Sequence, residues 1–440
     1  MLKRITLTFF LILVAVLSFS QGSFNLVNTS KDKIKFKLIN NLIVLPVEVN
    51  GVELSFLLDS GVSKPILFNI INLSDSLQIN HVETVFLRGL GAEGTVEALK
   101  SKRNIVKIGK AINVNQEIYV VFDEGINFAP RLGVPIHGII GYDIFKDLIV
   151  DVNYSSKTLR LHNPKTYKYR NCKKCETFNL TLSHNKPYID GMVEIDSSQM
   201  PVKLLMDTGG SDALWLFEDE DRGIMPIENK YFEDYLGKGL SGSVYGKRSK
   251  IKSFSLKDFK FKDVNVAFPD SASISIARKF RDRSGSISGE LLKRFNIIFD
   301  YTNEKITLKK NSNFKAPFHY NKSGIVLEQN GIRLVKEINE KLGYGPETSE
   351  SANKIVVQTS YNYALKPAYT IVELRKGSPA EKAGLLLEDV ILRVNNKDTA
   401  HLKMQDINDM FSDEDGKVIR ISVDRNGKIL NFQFKLEKLF

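Results

Sequence analysis

Short stretches in which apolar and polar residues alternate, separated by turn residues, recur through most of this 440-residue chain. A period of two predicts strands, and it is read over Val44–Val52, Thr158–Leu161, Tyr188–Ile195 and Lys305–Leu308. Helical spacing is rarer. It predicts short helices opening at Ile144–Phe145 and over Glu290–Phe295, and a longer one over His401–Phe411 with Leu402, Ile407 and Phe411 apolar. The pattern is that of a mainly β protein. The N-terminus differs: Lys3 and Arg4 precede an apolar run, Ile5–Leu17, and small residues Ser18 and Ser20 follow. This reads as a signal peptide over 1–20, cleaved between Ser20 and Gln21, and predicts a secreted or periplasmic protein. The run is shorter than the roughly 20 apolar residues of a membrane helix. No other segment is long and apolar enough, so no stable membrane span is expected after signal removal.

The chain also repeats itself. Phe56-Leu57-Leu58-Asp59-Ser60-Gly61-Val62-Ser63 matches Leu204-Leu205-Met206-Asp207-Thr208-Gly209-Gly210-Ser211. Each follows an alternating stretch. Downstream, Ile139-Ile140-Gly141 pairs with Ile287-Ser288-Gly289, each glycine standing 82 residues after its aspartate, with Ser288 in the second apolar place. Leu148-Ile149-Val150-Asp151 then pairs with Ile297-Ile298-Phe299-Asp300. Residues 34–163 and 177–312 are therefore two copies of one unit, joined by a linker over 164–176.

An aspartate at the end of an apolar strand, followed by a hydroxyl and a glycine, suits acid–base chemistry. The apolar neighbours place each carboxylate at the edge of a buried region. Gly61 and Gly209 let the backbone turn tightly, while Ser60 and Thr208 offer hydroxyls that can lock one loop to the other. Brought together, Asp59 and Asp207 cannot both ionise easily and would hold one proton between them. One carboxylate could then activate a water while the other protonates a carbonyl.

These motifs resemble those of the retropepsin-like and pepsin-like aspartic proteases, and the layout is similar to bacterial secreted members that carry a PDZ domain. The resemblance implies two tandem β-barrel lobes forming a bilobal aspartic protease, followed by an α+β PDZ domain. It implies an aspartic-type endopeptidase with polypeptide substrates, no cofactor and no metal, and Asp59 and Asp207 as the catalytic dyad. Ser60, Gly61, Ser63, Thr208, Gly209, Ser211, Gly141 and Gly289 would support the dyad, the last two as the glycines beneath each loop. The position three after each aspartate holds Val62 and Gly210, not the hydroxyl frequent in pepsins, which predicts a less acidic optimum. Gly89, Gly91 and Gly94, and then Gly239 and Gly242 with Tyr245, fall where the family carries flap hairpins. A monomer with an internal pseudo-two-fold axis is expected.

Both glycine segments match G-x-G-x-x-G, but neither is followed by a sequence that opens a helix, so dinucleotide binding is not supported. In the last third, Asn311–Pro317 reads as a linker, Asn330-Gly331 as a hairpin turn, Gly343–Asn353 as a polar loop and Tyr369–Leu374 as a strand. Ser378-Pro379-Ala380 through Ala383-Gly384-Leu385 and Asp389-Val390-Ile391 resemble a PDZ core, with Glu388 where the family usually has glycine; residues 320–440 are assigned to this domain. Such domains bind extended peptides by strand addition. The alternative function is a catalytically inactive protease-like scaffold that binds peptide or protein through this module.

Composition narrows the field further. Net charge is +11, with 62 Lys and Arg against 51 Asp and Glu, but the cations are scattered and form no basic block interleaved with aromatics, so nucleic acid is not an expected partner. Six His residues form no H-E-x-x-H pair. Only two cysteines occur, Cys172-Lys173-Lys174-Cys175. In an oxidising compartment a local disulfide is expected; a redox site lacks a thioredoxin-like context, and a four-thiolate zinc site would need another chain.

Overall fold

In a computed structural model the described residues are 22–70, 77–123, 125–169, 171–344 and 355–439. The segment expected to be a signal peptide, 1–20, and most of the polar stretch after Gly343, lie outside them. The chain divides into two compact units: 1–128 with 135–318, and 129–134 with 319–439.

The first unit is built from the repeat. In the first copy Leu42–Val49 pairs antiparallel with Val52–Leu58, and Gly138–Ile140 pairs parallel with the end of the latter, Ile140 beside Leu58. In the second, Lys186–Ile195 pairs with Ser198–Met206, and Arg283–Ile287 runs parallel to it, Ile287 beside Met206. A parallel strand feeding the aspartate-bearing one thus recurs in both copies. The copies are joined by a six-stranded sheet, in which Ile149–Asn153 of the first pairs with Phe295–Asp300 of the second. Outward on either side lie Thr158–His162 and then Lys31–Lys35, and Lys305–Lys310 and then Cys175–Asn179. The order is palindromic by copy, as a duplicated unit requires. One continuous apolar core, including Phe56, Leu58, Ile140, Phe145, Met206, Ile287, Phe295 and Phe299, fills this unit.

The short helices differ slightly from expectation. They cover Tyr142–Asp147 and Gly289–Leu292. The second ends earlier than its apolar spacing suggests, because Phe295 already belongs to the strand paired across the copies. The predicted linker Asn311–Pro317 is held in place: Arg294, 1 % exposed, donates to the carbonyls of Asn313, Ala316 and Pro317 and lies 3.7 Å from the centroid of the Phe318 ring. A buried guanidinium needs such acceptors, and here backbone carbonyls supply them.

The second unit is a five-strand path with a short side strand, packed on the helix Met404–Phe411 around Ile371, Leu385, Ile391, Ile407 and Phe411. The strands Val418–Arg425 and Lys428–Lys435 flank the Asn426-Gly427 turn as the sequence predicts. Asn330-Gly331 behaves otherwise. It is a bulge within a strand running Ile325–Tyr344, opposite the single residue Ala368 of the partner strand Ile355–Leu374, with Gly331 at φ +83°. A left-handed glycine serves a bulge as well as a turn. Within this unit Arg131 of the short helix Ala129–Leu132 pairs with Glu328 at 2.7 Å. Among the described residues no helix is long and apolar enough to cross a membrane.

Candidate active site

Each aspartate sits where its strand ends and is fixed by its parallel neighbour: Asp59 N–H donates to Ile140 O and Asp207 N–H to Ile287 O, both at 2.8 Å. The next residue of each loop crosses to the other. Thr208 Oγ1 accepts from Ser60 N–H at 2.9 Å and donates to Leu58 O at 2.7 Å. Ser60 Oγ accepts from Thr208 N–H at 3.0 Å and donates to Met206 O. Both hydroxyl residues are buried, so four backbone groups that water cannot reach are satisfied by two side chains. Gly61 N–H donates to Asp59 Oδ1 at 2.7 Å, and Gly209 N–H to Asp207 Oδ1 at 2.9 Å. This interlock brings the two carboxyls together: a Cβ placed on Gly61 would lie 3.1 Å from Asp59 Oδ1 and 3.5 Å from Asp207 Oδ1.

The loop glycines serve by giving room. A Cβ on Gly209 would stand 2.2 Å from Asp59 Cγ, and one on Gly61 would stand 3.1 Å from Asp59 Oδ1. Gly141 lies beneath the first loop, where a Cβ would meet Asp59 O at 1.9 Å. The expected equivalence of Gly141 with Gly289 needs correcting by one residue. Tyr142 N–H donates to Val62 O in the first copy, and Gly289 N–H donates to Gly210 O in the second. Ser288 therefore occupies the place of Gly141. The equal spacing of 82 counts intervening loops that are not of equal length, whereas the hydrogen bonds define the match. Ser63 Oγ donates to His184 O at 3.3 Å, and Ser211 O accepts from Asn41 Nδ2 at 2.8 Å, so each loop also touches the hairpin turn of the other copy.

The surroundings are electrostatically uneven. Burial, then the charge of Asp207, pushes Asp59 up to about 7. Burial also raises Asp207, but the Arg283 charge, the Gly209 N–H, Lys186 and the Gly210 N–H all oppose the rise. Lys186 acts on both aspartates, Arg283 on Asp207. Such a pair shares a proton and offers a base and an acid at one place. Neither cation stands out in the linear sequence; comparing the copies would have flagged Lys186, because the corresponding hairpin position in the first copy is Leu42. Tyr301, buried and lacking a hydroxyl partner among the described residues, lies near enough for Asp59 to raise its pKa further.

The two glycine-rich segments meet. Gly242 follows the tip of a hairpin formed by Tyr231–Gly239 and Gly242–Leu256; Gly89, Gly91 and Gly94 lie in the loop between Val82–Leu87 and Val96–Ile108. Buried Ser241 bonds to four groups of that loop: it accepts from Gly89 N–H and Glu93 N–H and donates to Leu90 O and Gly94 O. Leu90 packs beside Trp215 against Phe217, Ile274, Leu236 and Val244. Gly239 faces Leu90, where a Cβ would approach its carbonyl to 2.2 Å. Tyr245 is half exposed and meets Tyr235 edge-on. Neither segment opens a helix. Cys172 and Cys175 are joined as a disulfide.

Comparison with known proteins adds two family matches. Residues 45–144 match the aspartyl protease model and residues 370–425 the PDZ domain model. Among solved structures the chain is similar to an aspartic proteinase from Irpex lacteus, with 15 % identity, a TM-score of 0.38, and coverage of 65 % of this chain and 99 % of that one. No curated protein matches the chain.

Proposed function

We propose that this chain, which carries an aspartyl protease domain and a C-terminal PDZ domain, is an aspartic endopeptidase working through Asp59 and Asp207. The observation that carries the reading is the pair of adjoining carboxyls at the ends of duplicated strands, locked by the reciprocal Ser60 and Thr208 bonds. The unevenness around them assigns roles. Asp207, nearer in charge terms to two cations, is the ionised member and takes a proton from a bound water. Asp59, raised by burial, is the protonated member and donates to the carbonyl oxygen of the scissile amide. The water oxygen bonds to the carbonyl carbon and gives a neutral gem-diol. Return of the proton from Asp207 to the departing nitrogen, while Asp59 recovers its proton from a diol hydroxyl, breaks the C–N bond and restores both groups.

In this reading the two glycine-rich tips close over bound peptide and exclude water. Opening them must break the bonds made by Ser241. The PDZ domain holds or positions an extended segment of the substrate by strand addition, for which Ile325–Tyr344 stands at the edge of its sheet. The mature protein is secreted or periplasmic and acts as a monomer with an internal pseudo-two-fold axis.

A transition-state analogue tests the dyad directly. A peptide in which a tetrahedral hydroxyl-bearing carbon replaces the scissile carbonyl should bind at least about a hundredfold more tightly than the matched substrate. That advantage should vanish in Asp207→Asn protein. Equal binding of both ligands by the native protein would contradict the reading.

A further inference from the structure

We propose that Lys186 and Arg283 form an anion-accepting subsite beside the dyad, which selects polypeptide substrates bearing a carboxylate next to the cleaved bond. This rests on the proteolytic reading above and specifies its substrate class. In the second lobe Tyr188 pairs with Leu205. Continuing that antiparallel register two residues toward the loop sets Lys186 across from Asp207. Tyr188 and Lys186, two residues apart on one strand, share a face. Arg283 begins the strand parallel to the one bearing Asp207 and is 8 % exposed. Its Nε donates to Gly285 O at 3.0 Å and its guanidinium lies 5.1 Å from the Phe217 ring centroid. Tyr188, 4.6 Å from Phe280 between ring centroids, adds a further aromatic surface.

Among the described residues no carboxylate lies within salt-bridge distance of Lys186 Nζ or of the Arg283 guanidinium. The Arg283 charge acts on Lys186 as a like charge; Lys186 acts on both aspartates and Arg283 on Asp207. A dyad sharing one proton carries one negative charge against their two positive charges, so the site keeps about one uncompensated positive charge. Holding two cations in a largely desolvated place without a full complement of anions is costly. A substrate carboxylate supplies the missing charge and can take the paired donors of Arg283. The first lobe has Leu42, buried, where the second has Lys186, so the selection is one-sided: acidic on the side of the second lobe, apolar on the other.

The test uses the full chain at one pH, with matched peptides carrying Glu or Gln at each position flanking a mapped cleavage site. A further pair ends in a free or an amidated C-terminus. At one position, Glu should exceed Gln in kcat/KM by roughly ten- to hundredfold. The ratio should fall to near one in Lys186→Met, persist in Lys186→Arg, and give way to preference for a Lys peptide in Lys186→Glu. Because it is taken on one enzyme at one pH, the ratio cancels any change in dyad ionisation. Preference for the free terminus alone identifies the carboxylate as the end of a chain; preference for Glu alone identifies a side chain. Equal rates for every matched pair, or a pH profile that moves in Lys186→Met while the ratio does not, overturns the subsite. Binding of labelled Glu and Gln peptides to Asp207→Asn protein separates the two readings. Glu preference there without any cleavage by native protein keeps the subsite and removes the protease; cleavage without preference does the reverse.

Discussion

In the first lobe the hairpin residue facing the aspartate is buried Leu42, the residue three after the aspartate is Val62, and the backbone beneath the loop is Gly141. In the second lobe the same places hold Lys186, Gly210 and Ser288. The bonds that position the carboxyls are nonetheless the same in both: an amide to the neighbouring strand, an amide from the following glycine, and a hydroxyl across to the other loop. Duplication preserved what sets geometry and let diverge what sets charge. Burial raises both carboxyls, and the Arg283 charge opposes the rise at Asp207 alone, the unevenness on which the proposed acid and base roles rest.

The two lobes should differ most at the loop glycines. Gly209→Ala should cut kcat/KM by at least about a hundredfold, because the new methyl displaces the Asp59 carboxyl. Gly61→Ala, with a looser approach, should cost less than about tenfold. Equal losses would show that the two sides are alike after all. The interlock should behave symmetrically instead. Ser60→Ala strands Thr208 N–H and Met206 O, and Thr208→Val strands Ser60 N–H and Leu58 O. Each should lower unfolding stability by roughly 2–4 kcal/mol in denaturant titration. A large inequality between them would end the claim of equivalent loops.

Asp59→Asn probes the raised carboxyl through stability. The folded state holds the Asp59 proton more tightly than the unfolded chain does. The stability this proton contributes is complete below about pH 3.8 and is lost as pH rises through about 7. The variant should therefore equal the native protein near pH 3.5 and exceed it at pH 8 by on the order of 4 kcal/mol. A native protein more stable than the variant at pH 8 would mean that Asp59 is held ionised. The smallest effect is expected from Lys186→Leu, which copies the first lobe into the second. With a peptide lacking carboxylates, the acid limb of kcat/KM should move to higher pH by about half a pH unit, since Lys186 lowers both aspartates. A shift to lower pH would contradict the charge assignment.

Much of this site was legible in the sequence because its signals are local and doubled. Asp-Ser-Gly and Asp-Thr-Gly each end an alternating strand, and their hydroxyls have few other uses at such buried positions. What escaped depends on tertiary placement. Ser288 was paired with the wrong residue because equal counting hides a one-residue difference in loop length: Ile140 follows Asp59 by 81 residues, whereas its counterpart Ile287 follows Asp207 by 80. Ser241 and Leu90 were unremarkable until two distant loops met. Asn330-Gly331 carries a turn signal that the fold uses as a bulge. Glu388, noted as departing from a usual glycine, does stand at φ +69°, the left-handed region that disfavours a side chain. The sequence thus marked a backbone requirement even where it did not meet it.

The dyad is tested most plainly by digesting a diverse peptide mixture with the purified protein from about pH 3 to pH 8, the span that brackets dyad titration. Products are read by mass spectrometry, with Asp59→Asn and Asp207→Asn proteins run alongside. The native protein should cleave, with activity persisting to about pH 7, and both variants should lose every product, since one shared dyad does the work. Products that survive both substitutions, or survive one of them undiminished, would contradict a shared dyad.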